Sequence, residues 1–341
     1  MGALVKYTAL ATVGVSLALA GSALAADLPV KARPAPAIVP VVSAWEFELG
    51  ARYFGSTGQT QYDLYRIPPT SLISRLTYRD IVGHAGEAFG RFDHSSGIFI
   101  KGFGGVGGIG DGTLQDEDFP PGIPGGVYSS TNSIVRNGHF GYGSVDLGYS
   151  FWNTGATKVG AYVGYFHYSE RVDAFGCTQT AGNPAICVPT IPTTVRVLRE
   201  ETNWDAMKVG LNAVWRLTDR VKLTVDGAWI PYARLDARDT HFLRIGPNPG
   251  DFNGPTRQDG DGWGVMLEGK LQYALTQNWS IGVGGRYWRI ETDPRGAVTH
   301  FEQSVVGGGG APQATTFRTE RVGGFIEASY TFGAPPVVAS Y

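Results

Sequence analysis

The sequence contains no run of about 18 uncharged apolar residues downstream of Ala20, and this absence excludes a membrane protein built from spanning helices. It also lacks an excess of charge of either sign, since 28 Lys and Arg residues are balanced by 30 Asp and Glu residues. The resulting net charge of −2 gives no electrostatic reason to expect nucleic acid as a partner.

Cysteine is nearly absent as well, because Cys177 and Cys187 are the only two in the chain. In an exported protein, a disulfide that closes the loop between them is one interpretation. Zinc binding is the other, but no further Cys or His lies nearby to complete a ligand set. The remaining histidines show no metal-like grouping, so the sequence predicts neither a metal nor a cofactor; they include His94, His139, His167 and His300.

The N-terminus has the features of a secretory signal peptide. Lys6 supplies a positive charge, residues 7–20 form a small apolar stretch, and Ala23-Leu24-Ala25 is an A-x-A cleavage motif. A membrane-anchoring helix fits less well, because the apolar stretch is short and rich in small residues. We therefore predict a signal peptide over residues 1–25 and export of the mature chain.

Three further segments follow the signal peptide. Residues 26–43 contain four prolines, which predict an extended linker. Residues 44–332 are long enough for one large barrel, and we predict a single domain there. Residues 333–341 contain Pro335 and Pro336 and are predicted to form a C-terminal tail.

Alternation of apolar and polar residues with period 2 is the dominant signal within the predicted domain and indicates β-strands. The last such run, for example, has one face formed by Val322, Gly324, Ile326, Ala328, Tyr330 and Phe332. A soluble β-sandwich alternates in the same way. A transmembrane barrel is favoured because the runs are long, aromatic residues lie at the ends of apolar faces, and short turns alternate with long loops.

Counting these runs predicts ten strands, and closure into a barrel would leave no strand edge unpaired in lipid. We therefore predict an all-β fold, a ten-stranded antiparallel transmembrane β-barrel. The predicted strands cover residues 45–65, 72–92, 97–116, 130–152, 158–173, 197–217, 221–244, 260–275, 279–298 and 315–332.

Two short motifs carry the candidate chemistry, Asp116-Glu117-Asp118 and Asp239-Thr240-His241. Side chains at i and i+2 of a strand point the same way, so each motif can present two groups to one cleft. A histidine can accept a proton from water near neutral pH, and one of two coupled carboxyl groups can hold a proton and donate it. Either motif alone is more often a solvated loop or a polar strand end; together they favour a site that activates water.

Strict alternation places these motifs on the wrong face of the barrel. Asp239 and His241 share the parity of Trp229, which is predicted to face lipid, and the acidic pair shares the parity of Ile100. For these side chains to face the cleft, the alternation in each strand must therefore shift by one residue before the strand reaches the rim of the barrel. We expect β-bulges near Pro231 and within the glycine-rich run 104–112.

In the order of these elements, the chain resembles the omptin family, the outer-membrane endopeptidases of Gram-negative bacteria. The resemblance covers most of residues 45–332. It rests on Ser74-Arg75-Leu76, the glycine-rich run 102–112 leading into Leu114-Gln115-Asp116-Glu117-Asp118-Phe119, residues 222–229 followed by Asp239-Thr240-His241, and the closing Ala328-Ser329-Tyr330-Thr331-Phe332.

The resemblance implies a barrel that extends above the outer membrane, with an active cleft at its extracellular rim. By this likeness, Asp116 and Asp118 form one half of the catalytic site, and Asp239 and His241 form a dyad on the other. A water held between the halves attacks the peptide carbonyl of a peptide or protein substrate. Association with outer-membrane lipid, lipopolysaccharide in particular, is also implied.

The sequence departs from the omptin pattern at several positions. Enteric omptins prefer basic residues at the cleaved bond and use an acidic residue two positions before the dyad aspartate, where this chain has Ala237. Tyr62 or Asp63 lies near the place of a second acid, and Asn203 stands where an arginine of the lipopolysaccharide site is expected, with Arg171 and Arg199 nearby. The preference for basic residues is therefore not carried over. The alternative function is a non-enzymatic surface barrel, either an adhesin or a structural protein.

Overall fold

The computed structural model describes residues 44–66, 71–119, 128–308 and 310–333. The predicted signal peptide and linker lie outside the described residues, as does the predicted tail beyond Gly333. Among the described residues, no helix is long and apolar enough to cross a membrane.

Ten antiparallel strands form one closed barrel, as the sequence predicts. Each strand pairs with its neighbours in the chain, and β1 pairs with β10 to close the ring. The strands are β1 Trp45–Tyr65, β2 Leu72–His94, β3 Ile98–Asp118, β4 Ser129–Asn153, β5 Thr157–Gln179, β6 Ile191–Arg216, β7 Val221–His241, β8 Thr256–Ala274, β9 Trp279–Thr299 and β10 Gln313–Phe332.

The largest departure from the predicted boundaries is the β5–β6 hairpin. The prediction placed a loop over residues 174–196, but backbone pairing continues outward to Cys177 opposite Ile191. The two cysteines form a disulfide between Cys177 and Cys187, which ties the hairpin tip together. Strand β7 is shorter than predicted, because a 3₁₀ turn, Phe242–Arg244, follows directly after His241. The one short α-helix described, α1, spans Phe301–Ser304.

The half of the barrel nearest the short turns has an apolar outer surface. Outward-facing aliphatic residues such as Leu211, Val283 and Ile326 are 56–62% exposed. Tyrosine and tryptophan side chains, among them Trp229 and Trp279, lie on the same surface. An exposed apolar wall with aromatic residues is the surface that a barrel presents to lipid. The strands continue well beyond this belt toward the long loops.

Charged side chains line the inside of the membrane-level barrel, and aromatic side chains above them close it. Arg286 lies 2.6 Å from Glu87 and 2.6 Å from Glu268, and Arg52 bonds Glu87 at 2.9 Å and Glu327 at 2.5 Å. Above this ion-pair cluster, Trp288 is surrounded at ring-centroid distances of 5.6–6.0 Å by Phe54, Tyr142, Phe166 and Tyr168. These rings close the lumen, as expected for a barrel of ten strands.

Both expected bulges are present. In β7, Pro231 and Tyr232 are exposed in succession, and the buried positions change there from even to odd numbers. The register between β7 and β8 shifts at the same place, between Ile230 and Ala233. In β3 the change occurs at Gly110 and Asp111, where the register with β2 also shifts. Beyond each shift, the odd or even positions that face outward lower in the strand face the barrel interior.

We expect Arg286→Ala to destabilise the barrel by about 3–5 kcal/mol, because Glu87 and Glu268 are then buried with Arg52 as their one shared cation in place of two. The measurement is urea unfolding of the lipid-refolded protein followed by tryptophan fluorescence. Arg289→Ala is the matched control, since the Arg289–Glu291 pair lies on the outer wall with the arginine side chain 36% exposed, and such pairs contribute about 0–1 kcal/mol. Equal losses in the two variants would contradict a structural role for the buried cluster.

Candidate functional site

The four residues singled out from the sequence line one cavity at the long-loop end of the barrel. Asp116 and Asp118 are contributed by the end of β3, and Asp239 and His241 by the end of β7. All four belong to the lining of a cavity of about 850 Å³. The two bulges are the reason for this convergence, since without them these side chains would point away from the lumen.

Asp239 and His241 form a close pair on the β7 side of the cavity. Imidazole Nδ1 lies 3.2 Å from Asp239 Oδ2, an ion-pair distance without the angle of a hydrogen bond. The carboxylate side chain is 7% exposed and the imidazole 21% exposed. The ring of Phe252 packs against the imidazole with centroids 5.6 Å apart. The histidine is therefore held between an anion and an aromatic ring while part of it still faces the cavity.

The charges around His241 favour its protonated form. Burial is the largest single effect and lowers the pKa of the imidazole, but the charge of Asp239, its close contact with the ring and the charge of Asp116 together outweigh it. Arg244 opposes this through its positive charge. The net result is a pKa above the ordinary 6.5, so this histidine can exchange a proton near neutral pH.

The acidic pair opposite the dyad retains protons unusually well. Burial raises the pKa of Asp116 to about 7, and the neighbouring charge of Asp118 contributes in the same direction. Burial also raises the pKa of Asp118, against the opposing effects of Ser74 and the His241 cation. A carboxyl group with a pKa near 7 is a workable proton donor at neutral pH.

Two buried residues beside the dyad, Glu200 and Tyr78, were not identified from the sequence, and Tyr62 was considered only as a residue near the place of a second acid. Glu200 of β6 is directly opposite Asp239 in the strand pairing, and burial followed by the charge of Asp239 raises the pKa of Glu200 well above its usual value. Tyr62 and Tyr78 are fully buried beside the same two carboxyl groups. The one signal in the sequence was the alternation along β6, which places Glu200 on the same inward face as Thr202 and Trp204.

The structure also locates the departures from the omptin pattern. Ala237 faces the barrel interior and is fully buried. Tyr62 points inward, but Asp63 points to the outer wall, where Arg75 donates hydrogen bonds to both of its oxygens at 2.9 and 3.0 Å. Neither candidate for a second acid therefore contributes a carboxylate to the cavity.

The positions considered for lipopolysaccharide are tied into local contacts. Asn203 donates a hydrogen bond to the carbonyl oxygen of Asp236, at 3.3 Å. Arg199 pairs with Asp173 at 2.6 Å, and Arg171 lies 3.8 Å from Glu201. Within the part of the chain that the structure describes, no three His, Cys, Asp or Glu residues are grouped so as to hold a metal ion.

Comparison with known proteins identifies the fold. No protein-family model and no curated protein sequence matches the chain. The structure is similar to that of the outer membrane protease OmpT from Escherichia coli, with a TM-score of 0.66 and 13% sequence identity over 84% of this chain and 97% of that chain. At this identity the likeness shows a shared barrel fold.

Other outer-membrane proteins are matched less well. Ail of Yersinia pestis is 9% identical over 84% of this chain and 98% of its own, with a TM-score of 0.25. The translocator domain of the autotransporter NalP from Neisseria meningitidis is 12% identical over 82% of this chain and 88% of its own, with a TM-score of 0.32. These TM-scores are too low to indicate a shared fold.

We expect His241 to titrate above pH 6.5 in wild-type protein and below it in Asp239→Asn, because removal of the anion leaves the effect of burial. The measurement is an NMR titration of labelled histidine, with the resonance assigned by His241→Ala. Asp205→Asn is the matched control, since it removes a carboxylate 2.8 Å from His167 on the outer wall and should leave His241 unchanged. A wild-type value at or below 6.5 would contradict the electrostatic account.

Proposed function

We propose that this protein is an outer-membrane endopeptidase of the omptin type, which hydrolyses peptide bonds of surface-accessible peptides and proteins. The observation that carries the proposal is the convergence of Asp116, Asp118, Asp239 and His241 on one cavity. The OmpT-like fold supports it, since these groups come from the same two strand ends that the resemblance to omptins predicts.

In the proposed reaction, a water molecule lies between the acidic pair and the dyad. Neutral His241 accepts one proton from this water as its oxygen attacks the peptide carbonyl carbon. Asp239 stabilises the imidazolium that forms and fixes the position of the ring. No side chain forms a covalent bond to the substrate, and the dyad is returned to its starting state when His241 releases the proton to solvent.

The second half of the reaction requires a proton for the departing amine. The Asp116–Asp118 pair supplies it, because one of the two carboxyl groups holds a proton near neutral pH. The C–N bond of the tetrahedral intermediate then breaks, giving a carboxylic acid and an amine. The pair regains its proton from solvent, so water is the only reagent consumed.

The proposed location is the outer membrane of a Gram-negative bacterium, with the cavity on the extracellular side. The apolar belt of the barrel supports insertion into lipid, and the strands extend beyond this belt on the side that carries the cavity. Long loops face outward in such barrels. Association with lipopolysaccharide is part of the proposal and follows from the omptin resemblance.

A surface barrel without enzymatic activity, serving as an adhesin or a structural protein, is the competing hypothesis. A rigid barrel that is closed inside by aromatic rings is suited to holding long loops at the cell surface, with or without catalysis. The two hypotheses differ in one requirement, because only the protease depends on the chemistry of His241 and its acidic neighbours.

We expect His241→Ala to reduce peptide cleavage by about 10²–10⁴-fold, the usual contribution of a general base. The measurement is digestion of a peptide library by the purified, lipid-refolded protein, with products identified by mass spectrometry. His167→Ala is the matched control: it removes the histidine of another Asp–His pair, which lies on the outer wall. Equal cleavage by wild type and His241→Ala would remove the enzyme hypothesis in favour of the surface barrel.

We also expect a bell-shaped pH profile for cleavage. His241 must be neutral to act as a base, so activity falls as the pH drops below its raised pKa. The acidic pair must hold a proton, so activity falls again as the pH rises beyond about 7. In Asp239→Asn the acid-side fall should move to lower pH. Activity that rises steadily to pH 9 in the wild type would contradict these assignments.

A further inference from the structure

The cavity has an unusual distribution of charge for a site that would bind a basic peptide. Five of the described residues that line it are charged, and four of these are the proposed water-activating groups. The fifth is Arg244, whose guanidinium stacks on the ring of Phe252 at 4.4 Å. Among the residues that the structure describes, Arg244 forms no salt bridge. Its side chain is exposed at the cavity mouth, so it contributes positive charge there.

The rest of the wall is largely apolar. Aliphatic side chains come from β1, β2 and β6, and aromatic ones from the segment after β7 and from α1; they include Leu64, Ile73, Leu76, Leu198, Phe252 and Phe301. Polar groups on the wall, such as Ser74, Thr131 and Gln258, are uncharged. A volume of about 850 Å³ is enough to accept more than one substrate side chain beside the reacting groups.

Among the described residues, no other carboxylate lines this cavity. Asp63 is turned to the outer wall and paired with Arg75. Glu200 lies opposite Asp239 on the neighbouring strand, fully buried and not on the cavity lining. A lysine or arginine side chain of a substrate would therefore meet Arg244 and hydrocarbon, or would pair with the carboxylates needed for the reaction.

From these observations we propose that the site takes peptides with apolar side chains, aliphatic or aromatic, on both sides of the cleaved bond and discriminates against basic ones. This inference rests on the proposed function and specifies its substrate class. The physical reason is that an apolar side chain gains from leaving water, whereas a buried cation without a counter-ion loses its hydration.

Three internally quenched peptides that differ only at the two central residues test the proposal: Leu-Phe, Arg-Arg and Ser-Ser. We expect kcat/KM for Leu-Phe to exceed that for Arg-Arg at least tenfold, with Ser-Ser between them. Cleavage of Arg-Arg as fast as Leu-Phe, or faster, would overturn the substrate class while leaving the protease function intact. Absence of cleavage in all three and in the peptide library would overturn the protease function.

Binding gives a second readout that does not need turnover. The same peptides with a reduced central amide bond are titrated against the wild-type barrel, and fluorescence anisotropy gives Kd. The Leu-Phe analogue should bind at least tenfold more tightly than the Arg-Arg analogue. Equal affinity, or tighter binding of Arg-Arg, would overturn the inference even if no peptide is cleaved.

A charge placed on the wall tests which part of the cavity meets the substrate. Ile73 is half-buried and adjoins Ser74, which pairs with Asp118 across β2 and β3. Ile73→Glu should raise the Arg-Arg to Leu-Phe ratio of kcat/KM at least tenfold relative to Ile73→Gln, the matched variant without charge. The reduced-amide analogues should show the same change in relative Kd. Identical ratios in the two variants would show that this wall does not contact the central side chains and would overturn the proposed assignment.

Discussion

The site depends on a one-residue shift in two strands. A β-strand alternates its side chains strictly, so a strand that faces lipid with its odd-numbered residues keeps them outward to its end. In β7 the alternation changes at Pro231 and Tyr232, and in β3 it changes at Gly110 and Asp111. Proline cannot donate to the sheet and glycine tolerates irregular backbone, so these residue types suit a bulge. The acidic pair and the dyad reach one cavity because both shifts occur below them.

The filled lumen beneath the site gives it a fixed and poorly hydrated floor. The ring cluster around Trp288 and the Arg321–Glu170 pair at 2.5 Å close the barrel below the cavity. Side chains in such packed surroundings have few alternative positions. Poor hydration disfavours isolated charge, and this is the first cause of the raised pKa of Asp116 and of Glu200. The barrel thus fixes the positions of the buried side chains and, through burial, raises the pKa of the carboxyl groups among them.

Most of the fold could be predicted from the sequence because period-2 alternation persists along each strand. Ten strands, their order and the two bulges followed from alternation and from the places where it conflicted with the motifs. The extension of β5 and β6 was missed, since the predicted alternating runs ended at residue 173 and resumed at residue 197, whereas pairing continues to Cys177 opposite Ile191. Backbone pairing of that kind depends on the neighbouring strand and not on local residue preference.

The candidate site was predicted only in part, for a related reason. The two short motifs that end at Asp118 and His241 are visible in the sequence. Glu200, Tyr62 and Tyr78 come from three separate strands and meet only when the barrel closes. The cross-strand pairing that places Glu200 opposite Asp239 determines how charge is distributed. It puts an additional carboxyl group beside Asp239, where burial raises its pKa. The described cavity wall is otherwise uncharged, apart from Arg244 and the four candidate site residues. In this barrel, negative charge is concentrated where water would be activated and is absent from the surface that would hold the substrate side chains.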